Sequence, residues 1–139
     1  MKNSACTCVL AVGAAVAAVQ PGMSYAGFDA SKNLVCAAID VVGCVGGPDC
    51  SSGQAATFDL PQFMVVDFEQ KVIRATDESG HKEVSPIRNL EQTDLQLILQ
   101  GVENHRGWSA AIDRRTGQMT VTSAGPEVSF MIFGACTAL

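Results

Sequence analysis

Short apolar runs separated by turn-forming residues are the dominant signal along this chain. Leu34 to Cys44 (LVCAAIDVVGC) is rich in Val and Ile, and Phe63 to Phe68 (FMVVDF) is a second run entered through Pro61. Glu69-Gln70 turns the chain into Lys71–Thr76, and Asp77-Glu78-Ser79-Gly80 is a clear turn before Glu83–Arg88. Pro86 there marks an edge or a bulge, because proline cannot donate to a ladder. In Asp94–Gln100 (DLQLILQ), Leu95, Leu97 and Leu99 fall on one face and Gln96, Ile98 and Gln100 on the other. That period of two is the signature of a half-buried strand. Leu90–Leu97 is compatible with a helix as well, and Asp29–Leu34 or Leu90–Leu95 with a helical turn. Gly101–Gly107 reads as a loop. Trp108, Ala110 and Ile112 align on one face, Arg114-Arg115-Thr116-Gly117 makes a tight turn with Gly117 free to take positive φ, Met119–Ser123 returns, and Val128–Phe133 closes the chain. The pattern predicts an all-β domain over residues 27–139, a small antiparallel β-barrel or sandwich of about eight strands, stabilised by disulfides.

The first residues read differently. Lys2 precedes Val9–Val19, eleven apolar residues without charge. A membrane-spanning helix needs about 20 residues, whereas this length suits the core of a secretory signal. Gln20-Pro21-Gly22 breaks the run, and Ser24-Tyr25-Ala26 supplies small residues where a signal peptidase reads. Residues 1–26 are therefore expected to be a signal peptide cleaved after Ala26, for export to the periplasm or beyond.

Cys6 and Cys8 would leave with the signal, so Cys36, Cys44, Cys50 and Cys136 remain. An even count in an exported chain points to disulfides, and four cysteines allow three pairings. The turn-forming VGGPD segment favours Cys44–Cys50, which leaves Cys36–Cys136 to tie the first strand to the last. A closure that long contributes about 4 kcal/mol on a chain-entropy argument. The two histidines, His81 and His105, show no zinc-type spacing with the cysteines. No metal or other cofactor is expected.

Composition narrows the function classes. Hydrophobic residues make up 47% and charged residues 17%, which excludes a disordered polymer. The net charge of −5 becomes −6 once Lys2 is lost, which argues against nucleic acid or an anionic membrane surface as a partner.

The strand around Leu34-Val35-Cys36, the Val66-Asp67-Phe68 strand, the Ile112–Gly117 hairpin and the terminal Phe133-Gly134-Ala135-Cys136-Thr137 together resemble a loose group of small exported bacterial barrels. In shape they are similar to the periplasmic inhibitors of c-type lysozyme, eight-stranded barrels with a terminal disulfide. That family acts through a Ser-Gly-x-x-Tyr loop. Ser79 and Gly80 match it, Glu83 stands at the Tyr position, and the only tyrosine, Tyr25, lies in the signal. The resemblance implies a protein-inhibitor barrel that uses the exposed loop Asp77–Glu83, with a rigid protruding tip and no internal cavity.

The residues themselves offer further candidates. His81 sits among Asp77, Glu78, Lys82 and Glu83, where it could act as an acid–base group. Glu103, His105 and Trp108, flanked by Gly101 and Gly107, could line a barrel mouth, where small barrels open their ligand pockets. Trp108 with the Leu95/Leu97/Leu99 face would then enclose a small apolar ligand. An enzyme, a hydrolase for instance, would need His81 or His105 near Asp40, Asp67 or Asp113. Arg114-Arg115 could grip an acidic partner, and Met64, Met119 and Met131 could form an apolar docking patch for an envelope assembly. The expected function is a non-enzymatic binding module: Ser79, Gly80 and His81 serve a protein target, or Glu103, His105 and Trp108 serve a small molecule. Export from a bacterial host followed by intact mass spectrometry is expected to show an N-terminus at Gly27; a retained Met1 would remove the export argument.

Overall fold

The computed structural model describes residues 27–139, and the predicted signal peptide lies outside the described residues. Nine strands form: β1 (Leu34–Val45), β2 (Asp49–Gly53), β3 (Phe63–Asp67), β4 (Val72–Ala75), β5 (Val84–Gln92), β6 (Gln96–Glu103), β7 (Arg106–Asp113), β8 (Gln118–Ala124) and β9 (Val128–Ala138). Every pairing is antiparallel, and β9 returns to pair with β1. Eight strands, β1 and β3 to β9, therefore close a barrel. Closure removes the exposed sheet edges that would otherwise template aggregation.

The length of β1 makes this possible. Leu34–Ala37 pairs with β3, Val41–Val45 pairs with β2 on the same edge, and the whole strand pairs with β9 on the other. The ladder with β9 slips between Ala38 and Asp40, which leaves Ile39 as a bulge. The extra residue switches the inward set from Leu34, Cys36 and Ala38 to Val41 and Gly43, all of them buried. Ile39 is pushed out and is 56% exposed. A bulge that bends a strand while swapping its faces is a standard way to curve a barrel wall.

Alternation elsewhere follows the predicted period. Leu97 and Leu99 on β6 and Ala110 and Ile112 on β7 are fully buried, with Trp108 beside them. Leu95, however, precedes β6 and is exposed, so it does not share the Leu97/Leu99 face. Gly101–Gly107 is no loop: β6 runs to Glu103 and β7 begins at Arg106. Asn104 and His105 both take positive φ, as a two-residue I′ hairpin turn requires. No helix forms at Leu90–Leu97, because Thr93 turns β5 directly into β6 through hydrogen bonds from its hydroxyl and to it from Leu95 and Gln96 N–H. Asp29–Leu34 holds bends followed by the start of β1. Pro86 lies on a doubly paired strand rather than an edge, and a bulge follows it between Ile87 and Asn89. The Cys44–Cys50 hairpin adds β2, a strand the hydrophobic pattern does not announce because DCSSG is polar.

The methionines do not form a surface patch. Met119 is buried and Met64 half-buried, both facing inward, and of the three only Met131 is exposed. The three acids occupy turns or the outer face. Asp67 is buried and accepts the Gln70 N–H at 2.9 Å. Asp40 is exposed on β1. Asp113 accepts the N–H groups of Thr116 and Arg115, each at 2.8 Å. Those two hydrogen bonds, Thr116 first, hold the Asp113 carboxyl below the usual carboxylate range. The Asp113 contribution is thus complete above the ordinary carboxylate pKa and fades only as pH falls through the lowered value. The same turn carries Gly117 at φ 75°, where a side chain would collide with the Cys136 carbonyl.

One end of the barrel is plugged. Phe28 is buried in the core cluster with Leu34 and Leu97, its N–H donates to the Arg114 carbonyl at 3.2 Å, and the Arg114 Nε donates back to the Phe28 carbonyl. Arg114 also donates to the Thr93 carbonyl at 2.7 Å. It acts as a clamp on the plug rather than as a free cation at a hairpin tip.

Both disulfides are present, Cys36–Cys136 across β1 and β9 and Cys44–Cys50 across β1 and β2. Such bonds belong to an oxidising, extracellular type of environment. Among the described residues no helix is long and apolar enough to cross a membrane. The sequence separations, 100 and 6 residues, rank the two bonds. Replacing Cys36 and Cys136 together by Ala is expected to cost about 4–5 kcal/mol in urea unfolding, and the Cys44/Cys50 pair about 2 kcal/mol, on the loop-entropy relation. Equal losses would contradict that ranking.

Candidate binding cavity in the barrel

The interior of the barrel is not filled. An eight-stranded barrel is wide enough either to be packed solid by side chains or to hold one small ligand. Side-chain size on the inner face decides between the two. Here the inward positions include Ala75, Ala110, Gly101, Ser85 and Ser123 alongside the larger residues. They leave a cavity of about 380 Å³. Its walls are apolar in depth, with Val66, Ile73, Leu99, Ile112, Met119 and Trp108. Cys36 forms part of the wall, and its disulfide partner Cys136 has its Sγ 3.6 Å from the Met119 sulfur.

Polar groups collect at the open end. Glu103 and Arg106 close the β6–β7 hairpin and face inward, and the Ser85 hydroxyl of β5 donates to Glu103 Oε2. The Arg106 guanidinium lies 5.8 Å from the centre of the Phe130 ring, a cation–π contact. Phe130 meets Phe58 edge-on at 6.0 Å. Phe58 ends a 3-10 turn (Ala55–Phe58), and Asp59, Leu60 and Pro61 continue from it along the rim. The positive φ of Asp59 turns the chain back there.

The loop Asp77–Glu83 forms the opposite rim. Asp77–Ser79 is a 3-10 turn ended by Gly80 at φ 75°. The Ser79 hydroxyl donates to the Thr76 carbonyl at 2.7 Å and accepts the His81 N–H at 3.2 Å, which turns His81 inward. His81 lines the cavity with its side chain 20% exposed, and its Nδ1 is 3.4 Å from Glu83. Ser79 and Gly80 thus shape the loop, and the loop folds over the mouth.

The structure brings together His81, Glu103 and Trp108 of the candidate residues, and separates His105 from them. His105 sits exposed at the tip of the β6–β7 turn and does not line the cavity. None of Asp40, Asp67 and Asp113 lines it either. Among the described residues, no three His, Cys, Asp or Glu side chains converge as a metal-binding group. Ser85, Arg106, Arg74 and Phe130 line the cavity and were not singled out by sequence. Ser85 and Arg106 carry a signal only in hindsight, since each lies at even spacing from an inward residue of its strand (Ile87, Trp108).

Trp108 is packed against Gly101, its directly opposite neighbour on β6. The indole ring and the Pro86 carbonyl occupy the space that a side chain at Gly101 would need. The indole Nε1 is buried and has no hydrogen-bond partner among the described residues. A buried donor without a partner costs free energy, so its retention in a cavity wall is unusual.

Comparison with known protein families, with curated proteins and with solved structures finds no match to this chain. The cavity is therefore read from its own chemistry. Gly101→Ala is expected to drive the indole toward the cavity, to lower stability by about 1–3 kcal/mol as overpacking does, and to shift the emission of the sole tryptophan. Unaltered emission and stability would show that the indole is not held this way.

Proposed function

We propose that this protein is an exported, non-enzymatic binding module that takes up one small, mostly apolar molecule inside its barrel. The cavity of about 380 Å³ carries this reading. Small-molecule sites are typically about 300–1,000 Å³, apolar in their walls, with a few polar groups that fix orientation. Burial of apolar ligand surface against Leu99, Ile112, Met119 and Trp108 would supply the affinity. The rim residues His81, Glu103 and Arg106 would set which end of the ligand faces out.

Catalysis is the weaker reading of the same residues. His81 has Glu83 as its nearest acid, and the Ser85 hydroxyl is committed to Glu103, so no base is positioned on a nucleophile. The loop-based inhibitor reading draws less support, because Asp77–Glu83 turns its histidine into the barrel and a cavity lies beneath it. The disulfides suit the periplasm or the extracellular medium.

The uncharged fluorophore N-phenyl-1-naphthylamine tests the proposal. It is expected to bind saturably, to brighten, and to quench Trp108. Ala110→Phe, which places a ring in the cavity, is expected to weaken binding by about tenfold or more, a change of about 1.4 kcal/mol. No saturable binding to the native protein, or undiminished binding to Ala110→Phe, would overturn the proposal.

A further inference from the structure

We infer that the ligand carries a neutral, dipolar head group of the carboxamide class, held between Glu103 and Arg106. This rests on the reading of the cavity as a small-molecule site. Glu103 and Arg106 are directly opposite partners in the last pair of the β6–β7 ladder, and both line the cavity. Opposite charges in that relation ordinarily pair with each other across the strands. Here they do not: among the described residues the only acid–base contact within salt-bridge distance is that of His81 with Glu83. Glu103 is drawn aside to accept the Ser85 hydroxyl, and Arg106 is drawn aside over the Phe130 ring.

The result is an acceptor and a donor facing one opening. A carboxylate accepts several hydrogen bonds, and Ser85 supplies one. A guanidinium offers five donors, and that of Arg106 makes no ion pair or side-chain hydrogen bond among the described residues. A carboxamide answers both, its oxygen accepting from Arg106 and its NH₂ donating to Glu103. A ligand carboxylate would meet Arg106 but face the like charge of Glu103, and a ligand ammonium would meet the reverse. The other charged groups on the cavity wall, Asp59, Arg74 and Glu83 with His81 beside it, make no ion pair with Glu103 or Arg106. The Glu103–Arg106 couple itself carries one charge of each sign, which favours a head group whose own charge is zero.

Octanamide, octanoate and octylammonium share one apolar tail and differ in the head. Titrated into the native protein with Trp108 emission as readout, octanamide is expected to bind at least about tenfold more tightly than either ion. Glu103→Gln is expected to recover most of the octanoate deficit, and Arg106→Gln most of the octylammonium deficit. Equal affinity for all three, or preference of the native protein for either ion, would overturn the inference. Displacement of N-phenyl-1-naphthylamine by all three equally would leave the cavity reading standing while removing the head-group assignment. Failure of the native protein to bind that fluorophore at all would remove the underlying reading itself.

Discussion

The pairing of β1 with β9 is the constraint on which the barrel depends. It joins residues a hundred positions apart, so its closure entropy opposes folding more than that of any hairpin. Three features offset that cost. The ladder is long, running from Leu34–Ala138 to Val45–Val128. The Cys36–Cys136 bond locks its lower half covalently. Phe28, reached from the chain just before β1 and clamped by Arg114, seals the end where the two strands meet the core. Without closure, β1 and β9 would present open edges and the apolar wall would face water.

The same strand serves both apolar clusters of the interior, Leu34 and Cys36 in one and Ala38 and Val41 in the other. The bulge at Ile39 bends β1 so that its first half packs into the plugged end and its second half leans over the open end with β2, Phe58 and Phe130. Leu34 and Leu97 are shielded from solvent at the plugged end. Cys36, Val66, Leu99 and Ile112 line the cavity beyond them, where Ala75, Ala110, Ser85 and Ser123 leave space that larger side chains would fill. A cavity in a protein interior forfeits dispersion contacts. The proposed occupant would restore those contacts, beside an indole N–H without a partner and two side-chain charges that make no ion pair among the described residues.

Polar residues inside a barrel are costly, so their arrangement is informative. Ser85, Glu103, Arg106 and His81 sit where the wall meets solvent; Ser85 with Glu103 and Arg106 with Phe130 are held across strands, and His81 is held by Glu83 of its own loop. The tip of the β6–β7 hairpin shows how local this is. Glu103 and Arg106 point in, while His105, one residue away from Arg106, takes the left-handed turn conformation and points away from the cavity. One register position separates a candidate ligand contact from a solvated turn.

Much of the architecture was legible in the sequence because it is local. Period-two alternation, turn residues and an even cysteine count name an all-β, disulfide-linked barrel, and the VGGPD turn names the short disulfide. The inward face of Leu97–Leu99 and of Trp108–Ile112 follows from the same alternation. What alternation does not carry is the position of an interruption. The bulge at Ile39 depends on pairing with β9 at the far end of the chain, while the bulge after Ile87, the direct β5–β6 turn that leaves Leu95 exposed and the I′ turn that replaces an expected loop depend on the register of neighbouring strands. The cavity belongs to the same category. Its volume is the difference between a barrel radius set by eight paired strands and the side chains each contributes, and no single segment contains that difference. Trp108, Glu103 and His81 could be singled out by residue type; that Ser85, Arg106 and Phe130 join them was decided only by closure, which brings β5, β6, β7 and β9 around one mouth.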